Sequence, residues 1–284
     1  MGAGPNTRGL NAGPSPGSRP AGSDRIAAQP AGPVYHSAVT ADPLGARTVP
    51  ERVAAVATRV AASIVVIAIA ILPFLTPAWV SFEQGRTHAA SLVGYTEADL
   101  AVATNAILHD LVLGPPDFAV AVAGAPVLEE RERAHMRDVR GVFGGFFLLA
   151  GFAAVGLIAL VAGARRMGHL ERAWSAIASG MRWLIVAIVV AGVIAAVAFD
   201  AVFEIFHRLF FPAGSFTFDP RTDHLVQLFP FDFWSETTIV LGGLIVVVAA
   251  FISLGAGRLA KQAALVGGSR PAESVVPASA EIAR

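Results

Sequence analysis

The chain has 284 residues, of which 55% are apolar and 15% are charged, and its mean hydropathy is +0.62. Soluble domains contain roughly 45–50% apolar and about 25% charged residues, so this composition excludes an ordinary soluble protein and indicates a membrane protein. Basic and acidic residues balance at 21 each, and the chain contains no cysteine. The neutral charge argues against a nucleic acid partner, and the lack of cysteine excludes disulfides, thiolate catalysis and cysteine-ligated metals.

Residues 1–49 are rich in glycine, proline, alanine and serine and show no hydrophobic periodicity. Such a segment cannot bury enough apolar surface to offset the entropy lost on ordering, so we predict a disordered cytoplasmic tail. Residues 259–284 are predicted to form a second disordered tail. Between the two tails we expect a single membrane domain over residues 50–258.

Four stretches are apolar enough to cross a bilayer, whose core of about 30 Å needs roughly 20 helical residues. They are residues 60–80, 142–164, 183–203 and 238–254. Pro73 and Pro77 are expected to kink the first span, which neighbouring helices can tolerate. The predicted fold is an all-α polytopic membrane protein, a bundle of four transmembrane helices with two structured extracytoplasmic segments.

Basic residues are unevenly divided between the segments that flank the spans. The two termini and the segment between the second and third spans carry 14 basic residues, and the other two segments carry 7. The positive-inside rule therefore predicts a multi-pass protein of the inner (plasma) membrane with both termini in the cytoplasm. The segments after the first and third spans are then extracytoplasmic.

The first extracytoplasmic segment carries helix signals. Thr96 followed by Glu97 is typical of a helix start, the apolar period continues to Leu111, and Gly114 with two following prolines ends it. A second helix is expected to run from Val127 into the second span. The alternative, a solvated cap with no further role, stays open on composition.

The first candidate site precedes the second span. On a helix Glu132, His135 and Asp138 are three residues apart and share a face, so either carboxylate could orient the imidazole. A histidine at a helix end is also common as a simple interface residue, and that alternative stays open.

The second candidate site ends the third span. Asp200, Glu204 and His207 are spaced four and three residues apart, which aligns them on one helical stripe at the membrane boundary. Ionisable groups at this depth are costly unless paired or hydrated, so the stripe is a functional-site hypothesis. A polar network that only locks helix packing is the alternative.

The second extracytoplasmic segment is unusually aromatic, with eight phenylalanine and tryptophan residues between positions 210 and 234. We expect it to dip into the outer leaflet and present a lipid-facing groove, although an interfacial aromatic girdle has the same composition. The chain has no nucleophile elbow, zincin motif, Walker loop or dinucleotide-binding motif. The common hydrolase, zinc protease and nucleotide-binding functions are therefore not indicated.

Two histidines, His135 and His207, remain as the strongest candidates. A neutral imidazole can take a proton from an amine or hydroxyl nucleophile and return it to a leaving alcohol, as acyl or phosphoryl transfer on a lipid head group requires. Two alternatives use the same residues. One is a haem ligated by both histidines; the other is a non-enzymatic scaffold or partner-binding protein in which they only pack.

The residues around both histidines carry a resemblance to a known family. The motifs are Tyr-Thr-Glu at residues 95–97, His-Met-x-Asp-Val at 135–139, Phe-His-x-x-Phe-Phe at 206–211 and Phe-x-Phe-Asp-Pro-x-x-Asp-x-Leu-x-x-Leu-Phe-Pro-x-x-Phe at 216–233. Over about residues 52–258 the chain resembles bacterial four-span membrane proteins, long catalogued as a domain of unknown function, that include the lipoprotein intramolecular transacylases. The long aromatic motif is the most specific.

The resemblance implies transfer of the sn-2 acyl chain of a diacylglyceryl lipoprotein to the α-amine of its N-terminal cysteine. It implies no cofactor and no metal, with membrane lipids and diacylglyceryl lipoproteins as partners. The family's two essential histidines correspond by motif to His135 and His207. The motif adds loop residues to the candidate site, namely Phe218, Asp219, Pro220, Asp223, Phe229 and Pro230.

Overall fold

Four long helices dominate the structure, a computed structural model that describes residues 48–268. They are α1 (Val49–Ile71), α5 (Glu130–Arg166), α6 (Leu170–Phe210) and α8 (Phe231–Gly268). All four are long and apolar enough to span a membrane, with α1 counted together with the short turn that follows it. The predicted all-α, four-span architecture is confirmed. Residues 1–47 and 269–284, most of the two predicted tails, lie outside the described residues.

The end predicted for the first span, at residue 80, is wrong. Helix α1 stops at Ile71, a 3₁₀ turn covers Leu72–Leu75, and Thr76 is extended before α2 (Pro77–Arg86) begins. The Thr76 side chain accepts from the Trp79 backbone N–H at 3.4 Å and so begins α2. Because the apolar run continues across this break, hydropathy alone does not reveal it.

The predicted boundary of the C-terminal tail is also wrong, since α8 continues ten residues beyond position 258. Residues 259–266 are mostly alanine, leucine, lysine and glutamine, which are strong helix formers, and no proline interrupts them. Ala260 is buried, so this extension packs against the rest of the chain. At the other end α1 begins at Val49, the last residue assigned to the N-terminal tail.

The bundle is held by apolar side chains, and half of those in its core are alanine. Helix α6 packs along α8 and α1, and α1 also packs along α5. A Cβ added at Gly180 would lie 2.9 Å from the Arg59 Cα, so α1 and α6 approach closely only because this position lacks a side chain. The core of the bundle contains Ala62, Val66, Ala70, Ile177, Ala178, Met181, Leu184, Ile245, Ala249 and Ala256.

The segments after α1 and α6 form one structure at one end of the bundle, which we call the cap. Its elements are α2, α3 (Ala89–Val93), α4 (Glu97–Val112), β1 (Ala121–Val122), β2 (Ala125–Pro126) and α7 (His224–Leu228). Strands β1 and β2 pair antiparallel. A buried Gln84 ties three helices together, because it donates to the Leu228 carbonyl and accepts from the Thr104 hydroxyl, both at 2.9 Å.

The local predictions for the first cap segment are confirmed. Thr96 lies directly before α4 and accepts from the Asp99 backbone N–H at 3.1 Å. Helix α4 ends at Val112, one residue past the predicted end. Helix α5 runs without a break from Glu130 into the second span, beginning three residues later than expected.

Candidate active site

Helices α5 and α6 bring the two candidate histidines together. His135 lies in the second turn of α5 and His207 in the last turn of α6, at the ends of these helices that face the cap. Their imidazole rings are stacked, with centroids 5.9 Å apart and an interplanar angle of 19°. Both rings are therefore close enough to act on the same bond of one substrate molecule.

The hydrogen bond of His207 defines its tautomer. Its Nδ1 lies 2.7 Å from the backbone carbonyl oxygen of Phe203, one turn earlier on α6. A carbonyl oxygen only accepts, so Nδ1 carries the proton and donates. In a neutral ring Nε2 then holds the free lone pair, and His207 can accept a proton there.

His135 is more enclosed, with 5% of its surface exposed. Its Nδ1 is buried and has no hydrogen-bond partner within residues 48–268. A buried N–H without a partner is rarer and costlier than an unpaired acceptor, which favours the proton on Nε2. His135 is therefore suited to donate a proton from Nε2, whereas His207 is suited to accept one at Nε2.

Aromatic rings surround the pair. Phe211 contacts both histidines, at centroid distances of 4.8 Å from His135 and 5.3 Å from His207. Phe218 lies 5.4 Å from His135 and Phe216 lies 5.3 Å from His207. The aromatic loop therefore covers the histidines rather than forming only an interfacial girdle.

A cavity of about 480 Å³ adjoins this aromatic shell. Phe211 and Phe216, which contact His207, line it together with Glu204 and Arg208. Its remaining lining comes from the loop residues Ala213, Gly214 and Thr217.

The carboxylates predicted to orient His135 do not do so. Glu132 is buried and accepts from the Leu225 backbone N–H at 2.6 Å and from the Glu129 backbone N–H at 2.7 Å. It therefore joins the start of α5 to α7 in the cap. Asp138 is exposed, and among the described residues no hydrogen bond links it to His135. Helical spacing aligned the three residues correctly but could not show which partner each side chain takes.

The residues of the predicted stripe on α6 also have separate partners. Glu204 pairs with Arg208 at 2.5 Å rather than with His207, whose Nδ1 uses the backbone. Asp200 is exposed two residues after Ala198, whose non-helical backbone kinks α6. Within residues 48–268 no group of three or more histidine and carboxylate side chains is arranged to hold a metal ion.

Asp219, Pro220 and Asp223 of the loop motif make contacts within the motif itself. Asp223 is buried and accepts from the Asp219 backbone N–H at 2.7 Å. Asp219 itself pairs with Arg221 at 2.9 Å, and this contact holds the pKa of the Asp219 carboxyl below its usual value. The Pro220 carbonyl accepts from Gln227 at 3.0 Å.

The end of the same motif leads into α8. Phe229 is buried against Phe233 and its carbonyl oxygen accepts from the Trp234 indole N–H at 3.1 Å. Pro230 is the last residue before α8 begins. These residues anchor the loop to the bundle, and within residues 48–268 no ring contact or hydrogen bond joins them to the two histidines.

No motif in the sequence marks Arg131 as a site residue. Its guanidinium donates to the Thr217 carbonyl at 2.7 Å and to the Asp223 carboxylate at 2.6 Å, and its Cζ lies 4.9 Å from the Phe218 ring centroid. The only signal in the sequence is its position four residues before His135 on the same helix face. Its partners are distant in the chain, so no spacing rule reveals them.

Glu83 is a second residue that the sequence did not indicate. It is 1% exposed, in α2, and shares a hydrogen bond with Glu236 at the start of α8. Burial and, after it, the Glu236 carboxylate raise the pKa of Glu83 to about 7 against the opposing charge of Arg86. Arg86 also pairs with Glu236 at 2.8 Å. This triad lies where the cap meets the bundle.

The amino-acid sequence matches the profile of a known protein family. Residues 56–234, well over half of the chain, match the profile of the lipoprotein intramolecular transacylase Lit. The chain belongs to the Lit family. No curated protein sequence matches this Lit-family chain.

Solved structures of Lit from Bacillus cereus share the fold. One covers 78% of this chain and 99% of its own, with a TM-score of 0.63 and 15% sequence identity. Two variants of that protein, with one histidine replaced by arginine or by alanine, each cover 76% of this chain. They cover 95% and 96% of their own chains, with TM-scores of 0.63 and 0.62 and identities of 15% and 16%. At 15–16% sequence identity the structural similarity shows the fold alone. The family profile is what shows membership of the Lit family.

Proposed function

We propose that this Lit-family protein is a lipoprotein intramolecular transacylase that uses His135 and His207. The substrate is a diacylglyceryl-modified lipoprotein, and the product is its N-acylated lyso-form. The observation that carries the proposal is the stacking of the two imidazoles, 5.9 Å apart, beneath the aromatic loop. Membership of the Lit family supplies the reaction class.

The reaction is a balanced acyl transfer within one molecule. The α-amine nitrogen of the N-terminal cysteine attacks the carbonyl carbon of the sn-2 ester. A new N–C amide bond forms, and the bond between that carbon and the glyceryl oxygen breaks. The amine loses one proton and the glyceryl oxygen gains one, so a paired base and acid are sufficient and no cofactor is required.

We assign His207 as the base and His135 as the acid. The Nδ1 proton of His207 is committed to the Phe203 carbonyl, which leaves the Nε2 lone pair to take the amine proton. The buried, unpartnered Nδ1 of His135 favours the Nε2–H tautomer, which can polarise the ester carbonyl and then protonate the glyceryl oxygen. The aromatic rings around both groups limit water, which would otherwise hydrolyse the ester.

The site lies at the extracytoplasmic face of the inner (plasma) membrane in this proposal. The excess of basic residues at both termini and between α5 and α6 supports cytoplasmic termini. The cap and the histidines are at the opposite ends of these helices. Lipid-modified N-termini of secreted lipoproteins would reach the site along the outer leaflet.

The test is the lipid state of lipoproteins in a bacterium that lacks its own N-acylation. The full-length chain, His135→Ala, His207→Ala and His109→Gln are expressed at matched levels, and N-terminal lipopeptides are identified by mass spectrometry. His109 is a matched control because it lies in the cap with an exposed side chain. The wild type and His109→Gln are expected to give the lyso-form, and the other two variants to leave the diacylglyceryl form.

Two results would overturn the proposal. An unchanged lipid pattern with wild-type protein in the membrane means that this chain has another substrate or no enzymatic role. Wild-type levels of lyso-form in either histidine variant mean that the stacked pair is not the catalytic centre.

A further inference from the structure

Arg131 connects the aromatic loop to the helix that carries His135. It lies in the first turn of α5, one turn before His135. Its Nη1 donates to the Thr217 carbonyl at 2.7 Å and its Nη2 donates to Asp223 Oδ2 at 2.6 Å. One planar guanidinium thus binds two points of the loop at once, a geometry that a lysine ammonium does not reproduce.

Asp223 extends this connection through the loop. The same Oδ2 that accepts from Arg131 also accepts from the Asp219 backbone N–H at 2.7 Å. Arg131 and Asp223 therefore fix residues 217, 219 and 223 relative to α5. Between these anchors lies Phe218, whose ring is 4.9 Å from the Arg131 Cζ.

Phe218 connects Arg131 to His135. Its other ring contact is with His135, at a centroid distance of 5.4 Å and an angle of 64°. The Arg131 guanidinium and the His135 imidazole thus contact the same ring. We propose that Arg131 is a positioning residue that holds Phe218, and with it the loop, against His135. The expected loss of turnover rests on the proposed function. The expected loss of the contact between Phe218 and His135 does not.

Loss of Arg131 is not expected to unfold the protein. About half of the Arg131 side chain is exposed, so solvent screens its charge, whereas its partner Asp223 is buried. Asp223 keeps its bond from the Asp219 N–H and a contact with the Thr222 hydroxyl, so the buried carboxylate is not left alone. A defect in Arg131 variants would therefore reflect geometry rather than folding.

Arg133 offers a matched control two residues away. It also donates to a backbone carbonyl, that of Asp117 at 2.8 Å, and pairs with a carboxylate, that of Glu130 at 3.3 Å. Neither partner belongs to the aromatic loop. Arg133→Gln removes the same charge and the same kinds of contact without touching Phe218.

The experiment compares full-length wild type, Arg131→Gln, Arg131→Lys and Arg133→Gln in lipid nanodiscs. Imidazole NMR signals of ¹³C,¹⁵N-histidine are recorded, with the His135 signals assigned by their absence in His135→Ala. A ring at this distance shifts nearby resonances, so Arg131→Gln and Arg131→Lys should both move the His135 signals, while Arg133→Gln leaves them in place. This readout does not depend on turnover.

Turnover of a synthetic diacylglyceryl lipopeptide is measured on the same samples. We expect kcat to fall about 10- to 100-fold in both Arg131 variants, since small misplacements of a catalytic group have effects of that size. KM and the melting temperature should stay close to wild type, and Arg133→Gln should match wild type throughout. Failure of lysine to rescue kcat distinguishes positioning from charge.

The outcomes separate the two proposals. Unmoved His135 signals in Arg131→Gln, or wild-type kcat with moved signals, overturn the positioning role. Moved signals in the Arg131 variants together with an inactive wild type support the structural link and overturn the transacylase function instead.

Discussion

The Nδ1–H of His207 donates to the carbonyl oxygen of Phe203, and the same histidine stacks on His135 across the bundle. The first contact orients the ring and leaves Nε2 free to act as a base. The second places the buried His135 imidazole beside it. In the transfer proposed above, this tautomer and this pairing give different roles to two residues that look equivalent in the sequence.

The two histidines should act as one unit. His135→Ala and His207→Ala are each expected to reduce kcat by about 10²–10⁴-fold, the usual contribution of a general acid or base. If base and acid serve the same transfer, the double variant should be no more than about 10-fold slower than the slower single variant. Single-turnover rates on a diacylglyceryl lipopeptide measure this. Fully multiplicative losses would show that the residues act independently.

Glu83 should make stability depend on pH. Burial raises the pKa of its carboxyl to about 7 from the ordinary 4.5, so the folded state binds this proton more tightly than the unfolded state. Its contribution to stability is therefore greatest below about pH 4.5, falls as pH rises toward 7, and is constant above that value.

Glu83→Gln removes this titration and should flatten the decline of the melting temperature between pH 5 and 8. It should also raise stability at pH 8, where the wild type holds a buried charge. Glu97→Gln is the control, because Glu97 is exposed on α4. A Glu83→Gln protein with the wild-type pH slope would contradict the assignment.

Glu132 is expected to stabilise the cap rather than to take part in proton transfer. Both of its carboxylate oxygens accept backbone N–H bonds, from Leu225 and Glu129. Glutamine has only one acceptor oxygen, so Glu132→Gln leaves one buried N–H facing an amide NH₂ and should cost about 1–3 kcal/mol. The melting temperature in detergent measures the loss. Glu130→Gln, on an exposed side chain, should change stability by less than about 1 kcal/mol.

Gly180 should not tolerate even a methyl group. A Cβ there lies 2.9 Å from the Arg59 Cα, and backbone on two packed helices cannot yield easily. Gly180→Ala is expected to destabilise the bundle by about 1–3 kcal/mol. Gly192→Ala, on the same helix with no atom within 4 Å, should instead be neutral or stabilising by up to about 1 kcal/mol. Equal effects of the two substitutions would contradict the close packing of α1 and α6.

Much of the architecture follows from the sequence alone. Hydropathy over about 20 residues determines that four helices cross the bilayer, because every backbone polar group in hydrocarbon must be satisfied internally. Local signals determined α4 as well, since Thr96 supplies a cap and Gly114 a stop. The histidines could be proposed because ionisable groups at a membrane boundary are costly without a role.

Only the tertiary structure decided the partners. Helical spacing aligned Glu132 with His135, yet this carboxylate binds the Leu225 backbone on another helix. Glu204 instead pairs with Arg208 four residues later on α6, a local contact that the spacing also allows. A period of 3.6 residues defines which side chains share a helix face but not what packs against that face. A carboxylate that binds the histidine and one that binds another group therefore fit the same pattern. The stacking of His135 on His207, the span of Arg131 to the aromatic loop and the burial of Glu83 all depend on how separate helices pack. That packing is set by the summed contacts of the whole bundle, which no local motif contains.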